Sequence, residues 1–143
     1  MRKIKIKIVN KSGYGNPEYG TEQSAGCDLY AAIDEPVKLL PLDRVFIDTK
    51  VSVALPEGYE AQVRSRSGLN KNHGIICPVG TIDEDYRGQI GVILYNLSRE
   101  PYTINPGDKI AQLVISPCVQ ANWMDTDDLD TTGRKGGFGS TGK

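Results

Sequence analysis

The chain has 143 residues, enough for one domain with a real core, since a chain of ~150 residues buries about two-thirds of its unfolded surface. Its 17 basic and 18 acidic residues leave a net charge of -1, without the cationic excess that nonspecific binding of DNA or RNA requires. No apolar run reaches membrane-spanning length, and Met1-Arg2-Lys3-Ile4-Lys5-Ile6-Lys7-Ile8 alternates charge with isoleucine instead of offering a signal peptide's apolar core. The expectation is a soluble, cytoplasmic protein with no direct nucleic-acid or membrane partner. Cys27, Cys77 and Cys118 are odd in number and far apart, which fits reduced, mostly buried thiols better than a disulfide framework or a paired zinc motif. His73 is the single histidine, so the chain alone cannot build a multi-histidine metal site.

In chain order, Ile4, Ile6 and Ile8 recur every second residue and predict a half-buried strand. Residues 11–20 are rich in Gly, Asn and Pro and read as a loop. Small residues then frame a single aspartate in Ser24-Ala25-Gly26-Cys27-Asp28-Leu29-Tyr30-Ala31-Ala32, and residues 36–42 lead into another strand. Val51, Val53 and Leu55 alternate up to the turn signal Pro56-Glu57-Gly58, after which residues 59–64 restart a strand. Residues 69–73 predict a short helix, while 90–97, 102–104 and 109–116 predict strands. Asn105-Pro106-Gly107-Asp108 has proline and glycine where a type II turn wants them. Evenly spaced short strands without a long helical-period segment predict an all-β sandwich or barrel. After Trp123 the composition becomes acidic and then Gly-, Ser- and Thr-rich, so residues 1–124 are expected to form the β-domain and 125–143 a flexible tail.

Chemistry concentrates in several polar or glycine-rich clusters. Gly80-Thr81-Ile82-Asp83-Glu84-Asp85-Tyr86-Arg87-Gly88 packs three carboxylates, a phenol and a guanidinium between two glycines. Read as a hairpin, it points Asp83 and Asp85 to one face and Glu84 to the other. Read as a solvated acidic turn, it has the same composition. Arg64-Ser65-Arg66-Ser67-Gly68 combines guanidinium, hydroxyl and backbone N–H at a strand end, an anion-binding composition that a capped surface turn would share. Gln112 is the one amide in the apolar strand Lys109-Ile110-Ala111-Gln112-Leu113-Val114. The tail segment Arg134-Lys135-Gly136-Gly137-Phe138-Gly139-Ser140-Thr141-Gly142 offers phosphate-wrapping backbone and a ring able to stack on a base. Residues 137–143 match the start of a phosphate-binding G-x-x-x-x-G-K loop, but no Ser or Thr and no helix follow Lys143.

Together and in this order the clusters resemble the five motifs of the trimeric, all-β deoxyuridine triphosphatases (dUTP diphosphatases), which implies a distorted jelly-roll or β-barrel-like sandwich of short strands with one short helix and a flexible C-terminal tail. Motif one is read in Ala25-Gly26-Cys27-Asp28-Leu29, motif two in Arg66-Ser67-Gly68-Leu69 and motif three in residues 80–88. Motif four is Gly107-Asp108-Lys109-Ile110-Ala111-Gln112-Leu113, and motif five is Arg134 with residues 136–142.

The resemblance implies hydrolysis of dUTP to dUMP and pyrophosphate by in-line attack of water on the α-phosphorus, with Asp83 orienting and deprotonating the water. It implies that Tyr86 packs against deoxyribose and excludes a 2′-hydroxyl, and that uracil is read by backbone groups over residues 77–82, including Cys77, Gly80, Thr81 and Ile82. Uracil presents acceptor, donor and acceptor along one edge, which main-chain groups can answer. The phosphates fall to Arg66, Ser67, Gly68 and Gln112, with Ser67 and Gln112 beside Asp83 in the catalytic set. Arg134, Phe138, Gly139, Ser140 and Thr141 are expected to close over the bound nucleotide. Mg²⁺ is expected on the triphosphate, with Asp28 holding it through water, and each site is expected to be assembled from three subunits of a homotrimer.

The chain departs from the family pattern at Ser65, where proline is frequent, at Lys109, where arginine is frequent, and at Cys77, where some relatives carry asparagine. Two other readings remain: a dCTP deaminase of the same fold, which needs an added glutamate near motif three, and a catalytically silent nucleotide- or partner-binding module.

Overall fold

The computed structural model describes residues 2–133; the expected tail residues Arg134, Phe138, Gly139, Ser140 and Thr141 lie outside the described residues. Among the described residues twelve strands and one helix form in the order β1 (Lys7–Asn10), β2 (Glu18–Tyr19), β3 (Gly26–Tyr30), β4 (Val37–Leu39), β5 (Arg44–Asp48), β6 (Val51–Ala54), β7 (Tyr59–Arg64), α1 (Ser67–His73), β8 (Ile75–Ile76), β9 (Gly80–Ile82), β10 (Gly91–Asn96), β11 (Tyr102–Ile104) and β12 (Lys109–Pro117). A five-stranded sheet runs β2-β3-β12-β7-β9, beside a three-stranded sheet β5-β10-β8 and the pairs β1-β6 and β11-β4. This is the all-β architecture with one short helix that strand spacing predicts.

Alternation places the core. In β6 Val51 and Val53 are buried while Ser52 and Ala54 are half-buried, and in β10 Val92 and Leu94 face inward while Ile93 faces out. These residues join Leu29, Ile47, Ala61, Val63, Ile104 and Leu113 in one apolar cluster. Backbone bonds stitch the sheets where strands end: Ala31 N–H donates to Asp108 O (2.8 Å), and Ile90 N–H donates to Val51 O (2.7 Å). Gly107 takes φ +80° in the expected type II turn, with Asp108 N–H donating to Asn105 O at 3.1 Å.

Four expectations shift. The first strand begins at Lys7 rather than Ile4, and in it Ile8 is exposed and Val9 is 56 % exposed. The expected loop over 11–20 contains β2, paired with β3. The helix opens at Ser67, two residues early, and stops at Gly74, whose φ of +65° supplies the left-handed cap. Cys27 and Cys77 are buried but Cys118 is exposed, because β12 has ended and the chain has left the sheet.

Candidate active site

Motifs one, two and four meet on the five-stranded sheet. Strand β12 lies between β3 and β7, with Gln112 opposite Asp28 on one side and Arg64 on the other. Arg66 sits just past the end of β7 in extended backbone (φ -82°, ψ 125°), which turns its side chain back over the sheet. Its Nε lies 3.2 Å from Asp28 Oδ1, and its Nη1 donates to Lys109 O at 3.0 Å. Lys109 Nζ reaches Asp28 Oδ2 at 3.0 Å and lies 5.8 Å from the centre of the Tyr30 ring, and Gln112 Nε2 donates to Asp28 Oδ1 at 3.4 Å. The Arg66 Nε–Asp28 approach is an ion pair whose angle falls short of a hydrogen bond.

Asp28 is therefore a buried hub, 7 % exposed, joining three side chains of the phosphate motifs. Burial by itself would raise its carboxyl, yet the Lys109 hydrogen bond, the Arg66 charge and the Gln112 amide together hold it below the ordinary value of 3.8. Two cations against one anion leave the cluster one net positive charge, with the Arg66 and Lys109 side chains 32 % and 44 % exposed. Gln112, whose commoner place would be the solvated face, is half-buried against Asp28. Gly26 makes this possible, because a Cβ there would lie 3.2 Å from Gln112 Cβ and 3.3 Å from its Oε1.

Motif three lies elsewhere. Strand β9 pairs with β7 in the register Gly80–Val63, Thr81–Gln62 and Ile82–Ala61, so the chain runs from the Arg66 end of β7 toward its start. β9 is the edge of the sheet, which leaves the outward N–H and C=O groups of alternate residues without a strand partner. At Ile82 the strand stops, and Tyr86 N–H donates to Asp83 O at 3.1 Å, closing a turn. The strict alternation expected through Asp83, Glu84 and Asp85 is thus broken by turn geometry. Glu84 Oε2 accepts the Gly58 N–H at 2.9 Å, and Arg87 Nη1 donates to Glu84 O at 2.6 Å and Tyr86 O at 2.9 Å. The Tyr86 hydroxyl donates to Gln89 O at 2.8 Å, with the ring laid across Gly88. A Cβ at Gly88 would overlap that hydroxyl, so the second glycine of the motif is the space the tyrosine occupies. Asp83 is exposed beside it.

Cys77 is fixed through its backbone at the foot of β9. Its N–H donates to Ser65 Oγ at 2.7 Å, and the Ser65 hydroxyl donates to Cys77 O at 2.8 Å. Its thiol is buried and pushed up to about 11 by desolvation. Both backbone groups are taken, so Cys77 anchors the hairpin while the free edge begins beyond it.

Within one chain the two groups stay apart. The last β9 residue, Ile82, pairs with Ala61, about 10 Å of strand from Arg64 at ~3.3 Å per residue, and the Asp83 turn begins beyond it while Arg66 lies past the other end of β7. Two concavities lie in other places. One of about 300 Å³ is lined by His73, Ser98, Glu100 and Tyr102 among others, and one of about 830 Å³ by Ile4, Ile6, Tyr19, Tyr59 and Ile115 among others. Neither is lined by Arg66, Asp83, Tyr86 or Gln112.

A family model described as dUTPase matches residues 15–142. The chain belongs to the dUTPase family. It is 46 % identical to the deoxyuridine 5′-triphosphate nucleotidohydrolase of Fusobacterium nucleatum over 100 % of both chains. It is 49 % identical to that of Anaplasma marginale over 97 % of this chain and 99 % of that one. Among solved structures, a Staphylococcus bacteriophage 80alpha dUTPase variant with dUpNHpp superposes with TM-score 0.83 at 27 % identity, covering 98 % of this chain and 100 % of that one. A dUTPase variant from phage phi11 of S. aureus, described as coordinating a structural Mg(II) ion, gives TM-score 0.78 at 27 % identity over 87 % and 98 % of the two chains. In this dUTPase-family chain the motif residues within the described range divide into the Asp28 cluster and the Asp83–Tyr86 turn. No helix among the described residues is long and apolar enough to cross a membrane.

Proposed function

We propose that the protein hydrolyses dUTP to dUMP and pyrophosphate, by attack of water on the α-phosphorus, at sites that copies of the chain build together. The observation that carries this reading is Tyr86, held over Gly88 by its bond to Gln89 O beside Asp83 and at the end of a free sheet edge. A free edge answers uracil's alternating acceptors and donor with main-chain groups of Gly80, Thr81 and Ile82 in fixed geometry. The tyrosine ring, fixed at its hydroxyl, forms a wall against deoxyribose with no space for a 2′-hydroxyl. Asp83 takes the proton of the attacking water, which needs an ionised carboxylate within hydrogen-bond reach of it. Arg66, Ser67, Gly68 and Gln112 hold the phosphates and stabilise the charge that builds on the leaving pyrophosphate. Open space around Gly68, where an added Cβ would meet nothing within 4 Å, leaves room for the ligand. Residues of the tail, Arg134, Phe138, Gly139, Ser140 and Thr141, then close over the base and the γ end and exclude water.

The donor set suits a cation carried by the triphosphate rather than a dedicated protein cage. Among the described residues no three His, Cys, Asp or Glu side chains cluster, and both Asp28 oxygens already face cationic or amide partners. Bound Mg²⁺ would neutralise charge on the phosphates, and Asp28 would touch it only through water. Asp28's own task is to aim Arg66 and Gln112.

The spacing of the two groups and the exposed apolar surface favour a shared site. Asp83 and Arg66 of one chain sit toward opposite ends of β7, which leaves a second copy room to supply one of the two to a bound nucleotide. Val119, Trp123 and Met124 are 97 %, 86 % and 87 % exposed, apolar surface that a lone chain would leave in water and a homotrimer would cover. The deaminase reading needs an added glutamate near motif three, and Glu84, the residue present there, is turned to the Gly58 N–H. The test is pyrophosphate release from dUTP, dCTP, dTTP and UTP, each with and without Mg²⁺. Release from dUTP alone and only with the metal supports the proposal. Ammonia from dCTP, or silence with all four, overturns it.

A further inference from the structure

Ser65 belongs to no assigned role, yet its hydroxyl makes two short bonds to a single distant residue. It accepts from Cys77 N–H at 2.7 Å and donates to Cys77 O at 2.8 Å, satisfying both polar groups of a buried residue at the foot of the base-reading hairpin. No other side chain bonds Cys77's backbone among the described residues. From Cys77 the chain needs only Pro78 and Val79 to reach β9, and Val79 is exposed, so little else packs this link down. On the other side, Ser65 directly follows β7 and directly precedes Arg66, whose guanidinium is held by Asp28 and Lys109 O.

We propose that Ser65 is a positioning residue for nucleobase recognition, its hydroxyl fixing the height of the hairpin edge against the strand that carries motif two. The inference rests on the reading that this edge binds uracil. Main-chain recognition has no side-chain freedom with which to correct an error. A shift of a few tenths of an ångström along β9 lengthens every bond to the base and opens the wall that rejects a 5-methyl group. Ser65 sets that height with one atom acting as donor and acceptor at once, which alanine cannot reproduce and threonine can.

The experiment compares wild type with Ser65→Ala and Ser65→Thr for kcat and KM on dUTP and dTTP, with amide hydrogen exchange over residues 77–82. The expected result for Ser65→Ala is a rise in KM for dUTP of about tenfold, with kcat within about threefold, since a tenfold change corresponds to about 1.4 kcal/mol and lies within the loss of two hydrogen bonds. The preference for dUTP over dTTP falls by at least a few fold, exchange at residue 77 speeds up, and Ser65→Thr restores all three. A purely structural role would lower the melting temperature and leave the dUTP-to-dTTP ratio unchanged, and that unchanged ratio overturns the proposal. If Ser65→Ala does not fold, Ser65→Cys decides, because a thiol donates and accepts only weakly: a folded variant with a lower dUTP-to-dTTP ratio supports the proposal, and an unchanged ratio overturns it. A wild-type protein inactive on dUTP would refute the functional reading itself, a result separate from an active wild type with an indifferent Ser65→Ala.

Discussion

Asp28→Asn isolates the charge at the centre of the phosphate cluster while keeping its shape. The carboxylate faces Lys109 Nζ at 3.0 Å and Arg66 Nε at 3.2 Å, and the substitution leaves both cations against a neutral amide. Stranding a fully buried partner costs about 3–5 kcal/mol. Here the Lys109 and Arg66 side chains are 44 % and 32 % exposed, so water recovers part of the loss. The expected cost is ~2 kcal/mol, or a fall in melting temperature of roughly 4–8 °C at fixed protomer concentration.

The pH dependence is sharper than the magnitude. The folded carboxyl titrates below its ordinary 3.8, so its stabilisation is complete above that value and is lost as pH falls through the lower folded one. The gap between wild type and Asp28→Asn should stay level from about pH 7 to about pH 5 and close below about pH 4. Melting curves over that range measure it, and Lys109→Met should add little in the Asp28→Asn background. A gap as wide at pH 3 as at pH 7, or none at neutral pH, would refute the ion-pair account.

The other predictions concern turnover and selectivity. Asp83→Asn should bind dUTP within a few fold of wild type, by calorimetry, while turnover falls by about 10²–10⁴-fold, the range expected for a general base; near-normal turnover would remove Asp83 from that role. Gly88→Ala should push the Tyr86 ring from its bond to Gln89 O and reduce the preference for dUTP over UTP by about tenfold, read as a kcat/KM ratio. Deleting residues 134–143 should cripple turnover, while sedimentation still reports the same oligomer, if those residues act in closure rather than assembly.

Much of the scaffold was legible because strand faces and turns are local properties. β7 and β11 fall on their expected residues, and Gly107 sits at the positive φ that its turn predicts, since proline and glycine restrict backbone wherever they stand. Alternation, however, names a face and not a partner. It gave the same weight to Ile4, Ile6 and Ile8 as to Val51 and Val53, but only the second pair is buried in the core, while Ile6 packs against its border and Ile8 stands exposed. Likewise β3 was unreadable as a strand: buried from Gly26 through Leu29, its residues show no alternation at all.

The candidate site divides in the same way. Residue types and their order were enough to single out Asp28, Arg66, Asp83, Tyr86 and Gln112 and, by resemblance, to attach roles to them. What composition cannot supply is which polar groups are already spent. Ser65 and Ser67 look alike in sequence, yet only Ser65 reaches Cys77; Glu84 looks as available as Asp83, yet it is held by Gly58. Those facts depend on residues 12 and 26 positions apart being brought together by strand pairing. The amino-acid sequence by itself therefore determined the β architecture, the turns and the chemical inventory, because these follow from backbone restriction and side-chain type. Only the tertiary structure decided which members of that inventory meet, that Asp28 joins Arg66, Lys109 and Gln112, and that the Asp83 turn follows β9 toward the other end of β7. Hydrogen-bond partners and ion pairs are chosen by distance in space, which local pattern does not encode.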